Sequence, residues 1–148
     1  MQTTRYSADD EMELMSRLWT PAIKDDPLKF VLFVFPWGQP GTPLEHFDGP
    51  RRWQREVLQR IADHVKQNNG KIDFDTLRMA TSSGRGIGKS ALVSWLVIWM
   101  LTTRIGSTTI VSANSEAQLR SITWAEITKW LSMALNSHWF EVSATRLM

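Results

Sequence analysis

The chain has 148 residues, 43% of them hydrophobic and 22% charged, a size and balance that fit about one globular domain with a buried core. Cysteine is absent, which excludes a disulfide framework and a thiolate metal site. A formal net charge of +2 is too mild to announce nucleic-acid binding by itself. No charged segment followed by an apolar run opens the chain, so no secretory signal is expected. The longest apolar runs, residues 91–101 and 30–35, are too short to span a bilayer.

Taken in order, Ser7 and Asp10 form a capping-box pattern that predicts a helix over residues 8–19, with Met12, Met15 and Trp19 on one face. Pro21 ends it. Asp26-Pro27 reads as an N-cap followed by proline at the first helical position, opening a second helical piece through Phe35. The run Phe30-Val31-Leu32-Phe33-Val34-Phe35 reads equally as a buried strand. Residues 36–50, rich in Pro and Gly, form a loop. Pro50 then opens a helix to about residue 66, with Trp53, Val57, Ile61 and Val65 on one stripe that Leu58 and Ala62 widen. Arg51, Arg52, Arg55 and Arg60 make a basic cluster on it, either a phosphate-contacting patch or a solvated helix face. Asn68-Asn69-Gly70 stops this helix.

Residues 77–81 are expected as a short strand and residues 91–101 as a buried helix. Gly106-Ser107 leads into Thr108-Thr109-Ile110-Val111-Ser112-Ala113, which has the β-branched content of a second strand. Ser115 with Gln118 makes another capping box, opening a helix to about Leu135 with Trp124, Ile127, Leu131 and Leu135 on one stripe. Residues 140–145 alternate like the start of a further strand. Strand–helix–strand–helix order implies an α/β fold, a parallel sheet flanked by helices. The eight tryptophans suit core and interface positions.

The most informative stretch is Ser83-Gly84-Arg85-Gly86-Ile87-Gly88-Lys89-Ser90. Its three glycines allow left-handed backbone angles and close approach of N–H groups to a ligand. Lys89 adds a positive charge, Ser90 a hydroxyl able to hold Mg²⁺, and the following helix its N-terminal partial charge. Together they describe a polyphosphate cradle, the P-loop, in a deviant form because Ser83 stands where the pattern has its first glycine.

The chain resembles the ATPase domain of the large terminase subunit of tailed phages and prophages, the motor that packages viral DNA into the procapsid. The resemblance rests on Phe35-Pro36-Trp37-Gly38, Phe47-Asp48-Gly49-Pro50, Trp53-Gln54-Arg55-Glu56, the Ser83–Ser90 loop, and Thr109-Ile110-Val111-Ser112-Ala113-Asn114-Ser115 leading into Gln118. It spans most of residues 27–135. The resemblance implies a P-loop NTPase-type parallel sheet, incomplete, with residues 1–48 as an N-terminal helical segment and loop. Residues 49–148 are then the N-terminal portion of the ATPase domain, truncated before its Walker B strand. ATP and Mg²⁺ are the implied cofactors. Ser83, Gly84, Arg85, Gly86, Ile87, Gly88, Lys89 and Ser90 would cradle the phosphates, with Ser90 on Mg²⁺ and Gln54 on the adenine edge. Lys89 would neutralise β- and γ-phosphate oxygens, and Arg85 would steady transition-state charge as an arginine finger in cis; alternatively Arg85 is a solvent-facing loop residue. Trp37 or Trp53 would pack nearby, although the stripe position of Trp53 also reads as core.

By the same resemblance the partners are DNA, the small terminase subunit and the portal, in an oligomeric motor in the host bacterial cytoplasm, with no membrane. The acidic residues Asp9-Asp10-Glu11, Asp25-Asp26 and Asp73/Asp75 do not follow an apolar strand as a magnesium-organising carboxylate does. In the resembled family that acidic pair and the nuclease domain lie beyond the matched region. The chain is therefore expected to grip ATP without the full hydrolytic machinery. A second reading is a non-catalytic interaction module bound by phage or host proteins. A GTPase reading lacks its guanine-reading motif, for the chain has no Asn-Lys pair.

Overall fold

The computed structural model of the chain describes residues 7–69, 76–81, 88–112 and 115–141. The local signals fix most helix starts. In α1 (Ala8–Leu18) the Ser7 hydroxyl accepts from the Asp10 N–H, and the Asp10 carboxylate accepts from the Ser7 N–H at 3.0 Å. This reciprocal bond draws the Asp10 carboxyl below its ordinary range. The buried face of α1 is Leu14 and Leu18 rather than Met12 and Met15, and Met12 is exposed. The short α2 (Pro21–Lys24) leads to α3 (Pro27–Val34), where Asp26 caps the Lys29 N–H at 3.1 Å and Pro27 takes the first helical position. Residues 30–34 of the run that also fitted a strand are therefore helical, with Phe35 extended at the C-cap, and Phe30, Val31 and Val34 are buried.

Next come α4 (Arg52–Asn68) and α5 (Lys89–Thr103). The final region is α6 (Glu116–Gln118), a π-helical stretch (Leu119–Trp124) and α7 (Ala125–Met133), nearly continuous, followed by a 3₁₀ turn (Ser137–Trp139). The Ser115 hydroxyl accepts from the Gln118 N–H at 3.1 Å, as the capping pattern predicts. Helix α5 is the centre of the molecule. It packs chiefly on α7 and also on α3, which in turn packs on α4. Most of its circumference is buried, including Leu92, Trp95, Ile98 and Trp99, while the stripe through Lys89, Val93, Leu96 and Met100 is exposed or half-buried. One core joins residues before and after position 48, including Leu18, Phe30, Leu58, Trp95 and Leu131.

The expected α/β fold with its parallel sheet is corrected: among the described residues the architecture is helical and contains no strand. Residues 77–81 and 108–112 have strand-like composition, yet neither enters a ladder. Ile110 is 87% exposed, so its apolar side chain gains nothing from a sheet face. A helix satisfies its backbone within itself, whereas a strand needs a neighbour for every N–H and C=O. The expected strand at 140–145 lies outside the described residues beyond Glu141, and Phe140 and Glu141 are not in a strand.

Candidate functional site

The N-terminal end of α5 is set by Gly88, whose φ of +89° is left-handed backbone open to glycine. Among the described residues no side chain caps this end. The first-turn N–H groups of a helix have no intrahelical partner and carry partial positive charge, which suits an anion. Lys89 and Ser90 follow at the first two helical positions, Lys89 exposed and Ser90 half-buried.

Gln54, 3% exposed, sits directly against this end. It belongs to the first turn of α4. Its Oε1 accepts from the Arg51 N–H at 2.8 Å, closing the start of its own helix, and its Nε2 donates to the Gly88 carbonyl at 2.8 Å. A Cβ added at Gly88 would stand 2.4 Å from that Nε2. Gln54 is thus the tether between the starts of α4 and α5, with one N–H and one lone-pair direction of its amide beyond these two bonds.

Gly88, Lys89, Ser90 and Gln54 open onto a cleft of about 840 Å³. One wall is aromatic. Trp95 meets Trp130 edge to face at a centroid distance of 5.1 Å, and Trp37 lies 5.8 Å from both. The Trp37 indole is fixed by donating to the Val31 carbonyl at 2.9 Å. The opposite contribution comes from the helical region after Ser115, which brings Gln118, Ile122, Glu126 and Lys129 to the cleft. The Trp130 indole donates to Glu126 Oε1 at 3.0 Å. Among the described residues the charged lining is Arg51, Lys89, Lys129 and Glu126, a set able to meet a polyphosphate.

The sequence-expected site residues divide in two. Gln54, Gly88, Lys89 and Ser90 come together at this cleft. Ser83, Gly84, Arg85, Gly86 and Ile87 lie outside the described residues. Trp37 lines the cleft, whereas Trp53 packs half-buried against the core. Of the basic cluster, Arg51 reaches the cleft; Arg52 pairs with Glu56 and Arg55 donates to the Pro50 carbonyl. Glu126 and Lys129 were not singled out from sequence, because nothing in their local pattern separates them from a solvated helix face.

These residues fit a magnesium–polyphosphate in part. Ser90 and Glu126 offer hard oxygen ligands of the type Mg²⁺ takes, beside cations for phosphate. No cluster of three or more His, Cys, Asp or Glu exists among the described residues. No helix among the described residues is long and apolar enough to cross a membrane. Comparison of the chain with protein-family models, with curated proteins and with solved structures finds no match.

Proposed function

We propose that this chain binds ATP with Mg²⁺ in the cleft at the start of α5, as the ATP-binding portion of a DNA-packaging terminase large subunit. The observation that carries the reading is the 2.8 Å bond from Gln54 Nε2 to the Gly88 carbonyl. Trp53-Gln54 and Gly88-Lys89-Ser90 are separate motifs of the resemblance, and this bond joins them at one cleft. The uncapped α5 terminus and the cationic lining support it further. In this reading Lys89 meets phosphate oxygens, Ser90 faces Mg²⁺ and Gln54 holds the loop's end while addressing the base with its remaining N–H. The partners are then DNA, the small subunit and the portal, in the cytoplasm of the bacterial host.

Titration of the 148-residue chain with ATP, followed by tryptophan fluorescence, tests the binding claim. Trp37, Trp95 and Trp130 line the cleft and provide the signal. A saturable change is expected, and Lys89→Ala should weaken it by about 10- to 100-fold, the loss of a charge-assisted phosphate contact. A folded chain without a saturable ATP signal overturns the reading.

The second reading, an interaction module, draws on different residues. Ile105 and Ile110 are 80% and 87% exposed, and strand-like residues 108–112 have no ladder partner. A stable complex with a phage or host protein, indifferent to ATP and to Lys89→Ala, would favour it.

A further inference from the structure

The sequence motifs supply no carboxylate for the magnesium of a bound nucleotide. The tertiary structure does. Glu126 is the one carboxylate among the described residues lining the cleft that holds Lys89 and Ser90. It reaches that place because α7 is the main packing partner of α5, so the two helices share a wall. Trp130, one turn further along α7, is buried, and its indole N–H fixes Glu126 Oε1 at 3.0 Å. A carboxylate pinned through one oxygen keeps lone pairs on the other for a ligand. Arg51, Lys89 and Lys129 line the same cleft, cations that suit phosphate but repel a lone divalent ion.

We infer that Glu126 is the positioning carboxylate for the divalent cation of a nucleoside triphosphate in this cleft. The inference rests on the ATP reading above and names the residue through which magnesium improves binding. A triphosphate enters on its own charge. Glu126 would hold the ion that accompanies the phosphates, so magnesium dependence of affinity would reside in Glu126, while affinity for metal-free ATP would reside in Lys89. The indole bond holds the carboxylate in place before the nucleotide arrives, which lowers the ordering cost at binding.

The test is ATP titration of the full chain, in excess Mg²⁺ and in EDTA, for wild type and Glu126→Gln. Glutamine keeps an amide oxygen to accept from Trp130 and removes the charge, so the fold is preserved; near-ultraviolet circular dichroism checks this. Wild type should bind ATP about tenfold more tightly with Mg²⁺ than in EDTA. Glu126→Gln should lose that dependence while its affinity in EDTA is equal or higher, since a repelling charge has gone. Lys89→Ala should do the reverse, weakening binding in both conditions. An unchanged magnesium dependence in Glu126→Gln overturns the role of Glu126 and leaves the ATP reading standing. Wild type that binds no ATP in either condition overturns both.

Discussion

The two ends of α5 are built in opposite ways. Its C-terminal end is sewn into the molecule. The Thr102 carbonyl accepts from the Trp19 indole at 3.0 Å, and the Thr102 hydroxyl accepts from the Asn136 amide at 3.0 Å. The Trp99 indole and Arg104 Nη1 both donate to the Lys24 carbonyl, at 2.9 and 2.8 Å. Arg104 also pairs with Asp25 at 3.1 Å and stands 4.7 Å over the Trp99 ring. One terminal carbonyl of α5, that of Thr102, and the last carbonyl of α2, that of Lys24, thus find tertiary donors. Among the described residues the N-terminal end has a glycine for a cap and no side-chain capping bond, and Gln54 tethers it to the start of α4. The difference teaches where stability and availability reside in one helix. The end that closes the fold spends its polar groups internally; the end on the cleft leaves its dipole aimed at a ligand.

Substitutions can break that contrast. The largest effect on stability is expected from Trp99→Ala, which removes a buried ring and the support beneath Arg104. It should cost about 3–5 kcal/mol in urea unfolding, and where the protein still folds it should leave ATP affinity unchanged. Loss of nucleotide binding in a folded Trp99→Ala chain would show that the two ends are coupled. Gly88→Ala acts at the other end. It imposes a left-handed angle on alanine and drives a Cβ to 2.4 Å from Gln54 Nε2. A cost of about 1–3 kcal/mol is expected, together with weakened ATP binding. A stability loss without any change in ATP affinity would detach the Gln54–Gly88 tether from ligand binding.

The smallest effect sharpens the comparison with a helix start that uses side-chain capping. Asp10 in the α1 capping box has its carboxyl held below the ordinary range, first by the Ser7 hydroxyl and then by the Ser7 N–H. A depressed folded-state value means that the ionised form is favoured on folding. Its contribution is therefore complete above the ordinary aspartate value of about 3.9 and fades as pH falls through the lower folded value. Asp10→Asn should flatten stability against pH only in that acidic window. An equal slope in both proteins there would dissociate Asp10 from acid sensitivity.

The exposed segments form a third kind of region. Residues 108–112 carry the β-branched composition of a strand, and Thr109 Oγ1 is buried without a hydrogen-bond partner. Their composition led to the expectation of a parallel sheet, and the helical architecture overturns it among the described residues. Composition describes what a segment tolerates. A ladder requires a second segment at hydrogen-bonding distance, and no local pattern states whether one arrives.

By itself the sequence determined what acts over three or four residues. Ser7 with Asp10, Asp26 with Pro27, and Ser115 with Gln118 mark helix starts because a cap is a bond between near neighbours in the chain. The α4 stripe was legible in part: Val65 is buried, but the buried face centres on Gln54, Leu58 and Ala62, and the expected Trp53, Val57 and Ile61 are half-buried at its edge. Lys89, Ser90 and Gln54, grouped in the sequence only through the resemblance, line one cleft, and Gln54 is bonded to the neighbouring Gly88 carbonyl. Between the helix and strand readings of residues 30–34 the tertiary structure chose the helix, and it alone decided that Glu126 and Lys129 line the same cleft as the Gly-Lys-Ser end. Those outcomes depend on which helices share a wall, and packing between segments distant in sequence is written in no single stretch of the chain.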